Sequence, residues 1–481
     1  MMECDLIIEG GEIIDGTGGP RFAADVAVAE GRVVALGDLS DWRTGERIDA
    51  SGLIVAPGFI DAHTHDDRLL FSDPTMAPKA SQGVTCVVVG NCGISLAPFV
   101  PKGDPPSPLN LLGGHDEFCY PTVAAYVEAL ENAPAAINSA VLAGHTTFRA
   151  AVMDDLTRAA TPGEIEAMAA LLDEALAAGC VGLSTGTAYP AAAAAPTEEL
   201  LALAERLGPA GAVFTTHMRD EADDVISAME ETMDIARRAG VHVVISHHKV
   251  CGKENFGRSR ETLAVIEAAR AEGLRVDLDT YPYAAGSTVL LKGLVERSKR
   301  VLITWCEPHP EMGGRDLADI MAQWDVGVDE AIERLDPAGA VYFQADEGDV
   351  RRILSFSQTM IGSDGLPHDT RPHPRLWGAF ARVLGHYARD LGLFSLEEAV
   401  HRMTGVPARV FGLTGRGTIA TGAAADLVLF DAATIIDRST YEESMEQAAG
   451  IALVMVNGQA VWRNGKPTGN RPGRLIRRKT H

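Results

Sequence analysis

The sequence predicts an α/β protein: a (β/α)8 barrel of the TIM type, with a small β-sandwich domain made from both chain ends and a lid insertion. Three observations carry this. Eight short apolar runs separated by helical stretches recur between residues 54 and 364, both chain ends are β-rich and helix-poor, and one gap between runs is too long for a simple loop. Continuous Val-, Ile- and Leu-rich strands alternating with helices mark a parallel sheet covered on its outer face. Eight of them favour a closed barrel over an open sheet.

The runs are Leu53 to Ile60, Thr85 to Val89, Ser139 to Ala143, Val181 to Ser184, Ala212 to Thr215, Val241 to Ile245, Leu274 to Leu278 and Thr359 to Ile361. Thr161-Pro162-Gly163-Glu164 opens one intervening helix with a cap, a first-turn proline and a capping-box glutamate. Further helices start near Thr197 and Ser259. At the ends, LIIEGGEIIDG and LVMVNGQAVWRNG share a strand-Gly-strand rhythm and are expected to pair in one β domain formed by residues 1–56 and 416–481, around a barrel of residues 57–415. The long gap after Gly286, with a helical run near 315 to 324, reads as a lid at the barrel mouth.

Composition narrows the function. With 42 basic and 66 acidic residues, the net charge of -24 disfavours nucleic acid and anionic membranes as partners. The basic cluster Arg471, Arg474, Arg477, Arg478 and Lys479 reads as a solvated tail. The start Met-Met-Glu-Cys-Asp lacks a basic signal region and no apolar run spans a bilayer, so a soluble, cytoplasmic protein is expected. Seven cysteines without a C-x-x-C pair indicate neither a disulfide framework nor a zinc ribbon.

Barrel sites form at the C-terminal strand ends. Here those ends read Asp61-Ala62-His63-Thr64-His65, Gly90-Asn91-Cys92-Gly93, Thr215-Thr216-His217, Ser246-His247-His248-Lys249 and Gly362-Ser363-Asp364-Gly365. Imidazole, thiolate and carboxylate, the usual metal donors, thus meet on one rim. On a strand, His63 and His65 point to one face, whereas of the adjacent His247 and His248 only one can line the barrel. The remaining cysteines, and His115, His145, His309, His368, His373 and His401, read as packing or hydrogen-bonding residues.

Pro57-Gly58-Phe59-Ile60-Asp61-Ala62-His63-Thr64-His65, the terminal β segments and Gly362-Ser363-Asp364 resemble the amidohydrolase superfamily over nearly the whole chain. Gly90-Asn91-Cys92-Gly93, Thr216-His217-Met218-Arg219, Ser246-His247-His248-Lys249, Tyr281-Pro282-Tyr283 and Arg371-Pro372-His373-Pro374-Arg375 resemble its D-aminoacylase, or N-acyl-D-amino-acid deacylase, family. That resemblance implies zinc-dependent hydrolysis of N-acyl-D-amino acids. It implies a tight zinc site at Cys92, His217 and His247 and a weaker, optional second site at His63, His65 and Asp364. It further implies a carboxylate-binding set of Lys249, Tyr281, Ser287 and Arg375, Tyr189 near the scissile carbonyl, and a lid over residues 286–347. Asp364 would be the catalytic proton shuttle.

Two rivals differ at particular residues. A cyclic amidase of the hydantoinase or dihydroorotase type needs a carboxylated lysine at the fourth strand, where Val181-Gly182-Leu183-Ser184-Thr185 has none. A non-catalytic scaffold would have lost ligands that this chain keeps. For the substrate side chain, Val289-Leu290-Leu291-Lys292-Gly293-Leu294-Val295 suggests a hydrophobic pocket, while Lys292, Arg297 and Arg300 keep an N-acyl-D-glutamate or -aspartate alternative open.

Overall fold

The computed structural model describes residues 2–478. Its centre is a barrel of eight parallel strands: β1 (Phe59–Asp61), β2 (Val84–Val89), β3 (Asn138–Gly144), β4 (Gly182–Gly186), β5 (Val213–His217), β6 (His242–Ile245), β7 (Val276–Thr280) and β8 (Thr359–Ile361). Neighbours in sequence are neighbours in the sheet. The last strand meets the first beyond its own end: Ala62 N–H donates to the Ile361 carbonyl at 3.1 Å, and Asp364 N–H donates to the His63 carbonyl at 2.7 Å. Closure thus ties the backbone of one candidate ligand to another.

Helices cover the strands as their end signals require. Thr161 and Glu164 form a reciprocal capping box, with Thr161 N–H donating to Glu164 Oε2 at 2.7 Å and Glu164 N–H donating to Thr161 Oγ1 at 3.3 Å. This opens the helix Pro162–Ala177, and the helices Thr197–Ala210 and Ser259–Ala271 follow later in the ring.

The first apolar run differs from its reading as one barrel strand. It splits at Gly58: Ile54–Pro57 pairs antiparallel with Leu427–Phe430, and Phe59–Asp61 enters the barrel. A side chain at position 58 would lie within 2.3 Å of the Thr85 side chain, so glycine lets the chain pass between the two sheets.

The chain ends form two facing sheets with a common core that includes Leu6, Val28, Val55, Leu427 and Leu453. One sheet has four strands, all from residues 3–49, while the other has seven and mixes both ends. LIIEGGEIIDG is not a hairpin: Glu3–Glu9 belongs to the first sheet and Glu12–Ile13 to the second, with Gly10-Gly11 at the crossing. LVMVNGQAVWRNG is one, Ile451–Val456 pairing with Gln459–Arg463 across Asn457-Gly458, whose φ values of 47° and 80° suit a tight hairpin turn. The basic C-terminal stretch is not a free tail, since Ile476 N–H donates to the Ser139 carbonyl at 2.7 Å and Arg477 pairs with Glu131 at 2.8 Å. Lys479 lies outside the described residues.

The insertion after β7, where a helical run was expected, also carries a sheet of its own. Gly286–Val289, Val301–Cys306 and Ala338–Tyr342 form an antiparallel sheet, packed on the helices Leu317–Trp324 and Val328–Leu335 around Ile303, Ile320, Leu335 and Ala340. Among the described residues no helix is long and apolar enough to cross a membrane.

Candidate metal centre

Six side chains from five strand ends converge at the C-terminal mouth of the barrel. Cys92 Sγ lies 3.3 Å from His63 Nε2 and 3.2 Å from His247 Nε2, and His247 Nε2 lies 3.1 Å from His217 Nδ1. Asp364 Oδ1 lies 3.3 Å from His65 Nε2 and 3.7 Å from His63 Nε2. These atoms make two candidate metal groups, Cys92 with His217 and His247, and Cys92 with His63, His65 and Asp364; within each, all ligand atoms lie within 4.8 Å of one another. The division drawn from resemblance gave Cys92 to the first group alone. Its position between the two makes it a ligand that either can use.

Local backbone geometry aims these groups. Cys92, His247 and Asp364 have φ of 54°, 35° and 48°, a left-handed backbone that non-glycine residues seldom adopt and that clusters at functional sites. The turn around Cys92 needs its flanking glycines, because a side chain at Gly90 would meet the Leu142 carbonyl at 2.1 Å and one at Gly93 the Gly186 nitrogen at 2.8 Å. Ser184 on β4 fixes the same turn: its hydroxyl donates to the Gly90 carbonyl at 2.5 Å and accepts from Gly93 N–H at 2.9 Å.

The electrostatics suit a cation. Burial pushes the Cys92 thiol up, but His247, His63 and His217 outweigh it and hold it well below the ordinary thiol range. By contrast burial, helped by nearby carboxylates, pushes Cys86, Cys180 and Cys251 up to about 12, which fits inert thiols. Asp364 is likewise pulled well down, against the effect of burial, by Arg375, His65 and the other histidines. A buried thiolate, a carboxylate and four imidazoles within reach of one another are donors of the kind that zinc takes.

Residues the sequence reading did not single out hold the ligands from behind. Glu221, four residues after His217, lies 3.5 Å from His217 Nε2 and 3.1 Å from His247 Nδ1, and accepts from Lys249 Nζ at 2.8 Å. Asp279 on β7 lies 3.3 Å from His63 Nδ1 and accepts from His247 N–H at 2.8 Å. Lys79, fully buried, donates to Asp61, Thr64 and Ser363 at 2.8, 3.0 and 2.6 Å and so ties β1 to the segment after β8. An acidic residue within an apolar strand, Val276-Asp277-Leu278-Asp279, was the available signal for Asp279. His248 turns outward to Thr262 at 2.8 Å, which leaves His247 as the barrel-facing member of the pair.

Above the ligands lies a pocket of about 170 Å³ lined by Tyr189, Lys249, Tyr281 and Ser287 together with His65, His217, His247 and Asp364. Arg375, itself buried, lies against three residues of that lining: its guanidinium stacks 4.4 Å from the Tyr281 ring, pairs with Asp364 at 2.8 Å and donates to the Ser287 carbonyl at 3.0 Å. His373 steadies it, accepting Arg375 N–H on Nδ1 at 3.0 Å. Tyr189 Oη lies 2.9 Å from Thr288 Oγ1 on the insertion, and the Ser287 hydroxyl donates to Ala340 within the insertion's sheet at 3.2 Å. Tyr281 Oη and Arg375 Nε are buried without a hydrogen-bond partner in the protein. Of the three cations weighed for a substrate side chain, Lys292 pairs with Asp329 at 2.5 Å and Arg300 with Asp316 at 2.8 Å, both away from the pocket. Arg297 does line it, paired with Asp223 at 3.2 Å and Asp220 at 3.7 Å.

The chain is similar to known proteins over most of its length. The amidohydrolase family pattern matches residues 46–462. A D-aminoacylase of Alcaligenes xylosoxydans xylosoxydans is 54% identical over 474 residues, covering 98% of each chain. A solved D-aminoacylase with a binuclear metal centre, described by one-metal activation and second-metal attenuation, superposes with a TM-score of 0.97 at 55% identity over 99% of this chain and 100% of that one. The N-acyl-D-glutamate deacylase of Bordetella bronchiseptica, solved with zinc and a phosphonate mimic of the reaction's tetrahedral intermediate, gives 0.96 at 48% identity over 99% and 100%. With a family match across most of its length and a relative of more than half identity from end to end, the chain belongs to the amidohydrolase family.

Proposed function

We propose that the protein hydrolyses the amide bond of N-acyl-D-amino acids, releasing a carboxylate and a free D-amino acid, with zinc as its metal. The observation that carries this reading is the juxtaposition of the thiolate-imidazole-carboxylate cluster with two buried, unpartnered donors, Tyr281 Oη and Arg375 Nε. Buried polar groups normally have partners, so these two suit an acceptor brought by the substrate. An α-carboxylate fits, because a guanidinium fork can hold it at two points while Lys249 adds a charge.

Cys92, His217 and His247 would hold the tighter zinc, and His63, His65 and Asp364 a weaker second ion with Cys92 between them. When bound, zinc supplies Lewis acidity to the amide carbonyl and makes water acidic enough to react near neutral pH. Asp364 Oδ1 takes the proton of the attacking water and delivers it to the leaving nitrogen. Arg375 links this step to binding: once the guanidinium shares its charge with the substrate carboxylate, it holds Asp364 less strongly, and Asp364 becomes the better base. Tyr189 would donate towards the scissile carbonyl, and residues 286–347 would cover the site.

Leu291, Leu294, Leu366, Leu111 and Ala188 line the pocket, which favours hydrophobic D-side chains. Of the three cations weighed, Arg297 favours an acidic side chain, and two nearby aspartates already offset it. The experiment is hydrolysis of N-acetyl-D- and L-leucine and N-acetyl-D-glutamate, with zinc measured on the same preparation. Turnover of D-leucine above L-leucine and D-glutamate is expected. A preference for D-glutamate that Arg297→Ala removes would replace the hydrophobic reading, and inactivity on all three would end the deacylase reading.

A further inference from the structure

We propose that the protein has a binding groove for an extended acyl chain, so that its substrates include N-acyl-D-amino acids with medium-length aliphatic acyl groups. A surface groove of about 1210 Å³ adjoins the metal-centre pocket and shares Leu111 and Leu291 with it as a common wall. Its apolar lining continues through Pro190, Leu290, Trp305 and Pro337, between the loop that carries Leu111 and the strands of the insertion. The inference rests on the deacylase reading, because that reading fixes which end of the substrate points here.

The direction follows from the anchors. Lys249, Tyr281, Ser287 and Arg375, which would hold the carboxylate, do not line the groove. The groove's other walls instead extend the segments that bear the metal ligands of β1 and β8: Arg68 lies three residues past His65, and His368 and Asp369 lie four and five residues past Asp364. A substrate whose carboxylate sits on Arg375 and whose amide carbonyl lies over the ligands therefore has its acyl end facing this side. The amino-acid side chain branches one bond from the carboxylate and stays in the inner pocket. Leu111, buried, and Leu291, half-buried, would be the first apolar surfaces the acyl chain meets.

The test compares kcat/KM of the zinc-loaded protein for N-acetyl-, N-butyryl- and N-octanoyl-D-leucine. Each buried methylene is worth roughly a fourfold effect at most, so a rise of about tenfold or more from acetyl to octanoyl is expected. Trp305→Ala should remove most of that rise while leaving N-acetyl-D-leucine unchanged. Glu307→Trp, at an exposed position of the same groove, should block it by bulk with the insertion core undisturbed. Octanoyl turnover tenfold below acetyl, or an octanoyl-to-acetyl ratio that neither variant changes, would overturn the groove proposal. Failure on N-acetyl-D-leucine and N-acetyl-D-glutamate alike would overturn the deacylase reading instead, so the two failures are distinguishable.

Discussion

Arg375 Nη1 stands 2.8 Å from Asp364 Oδ2, and both side chains are buried beside the ligand cluster. One guanidinium thus touches both the residue proposed for proton transfer and Tyr281 and Ser287, which are proposed to hold the substrate carboxylate. Lysine cannot hold two carboxylates in one plane. Arg375→Lys is therefore expected to lower kcat/KM for N-acetyl-D-leucine by about 100-fold or more, since a charged hydrogen bond is worth roughly 1.5–3 kcal/mol and two are involved. Steady-state kinetics check this, and an unchanged kcat/KM would move the carboxylate site elsewhere.

Asp364→Asn keeps the shape of the side chain and removes its basicity. kcat should fall by about 10²- to 10⁴-fold while the tighter zinc is retained, because Cys92, His217 and His247 are untouched. Zinc content and turnover measured together decide the matter. Near-normal turnover would take Asp364 out of proton transfer.

The shared position of Cys92 separates two ligand mutants. Cys92→Ala should weaken metal binding at both candidate positions, whereas His217→Ala should weaken only the one it lines. Both should lose activity and the tighter ion. Zinc titrations followed calorimetrically would distinguish one lost step from two, and full occupancy in either mutant would count against this ligand set.

Glu221 faces the outer nitrogens of both His217 and His247. A carboxylate in that position fixes ring orientation and raises ligand basicity, and its loss typically costs about 10- to 100-fold in metal affinity. Glu221→Gln should show such a loss in competition against a chromophoric chelator. Undiminished affinity would make Glu221 a partner of Lys249 alone.

A second buried carboxylate sets an acid limit on stability. Burial pushes Glu199 up, but His145 at 2.9 Å and Arg149 at 2.6 Å outweigh it and hold the carboxyl down to about 2, against an ordinary 4.5. Because the folded value is the lower one, the stabilisation is present above the unfolded value and is lost as pH falls from 4.5 towards 2. Breaking such a buried pair costs roughly 3–5 kcal/mol, so Glu199→Gln should be clearly less stable at pH 6 in urea unfolding. The gap from wild type should narrow at pH 3, and a constant gap would refute the assignment.

The barrel was legible because eight buried strands leave eight apolar runs, and the donor residues stood out because they follow those runs directly. What escaped is what periodicity does not encode. The change of sheet at Gly58 depends on a close approach to Thr85, and the strand Gly286–Val289 reads Gly-Ser-Thr-Val, too short and polar to show alternation. Glu221 was missed because an isolated acid is ordinary in sequence and becomes informative only when two imidazoles face it, and Asp279 because the apolar run before it was read as ending at Leu278. The resemblance divided the ligands into two triads, and only spatial proximity puts Cys92 within reach of both.

The split run at Gly58 also orders events during synthesis. Among the described residues Ile54–Pro57 finds its antiparallel partner in Leu427–Phe430, and His63 stands five residues beyond Gly58. The segment that leads into the first barrel strand therefore gains this partner only after nearly the whole chain has left the ribosome. A nascent chain stalled before residue 427 thus carries all six candidate ligands yet lacks the strand on which the entry to the barrel leans.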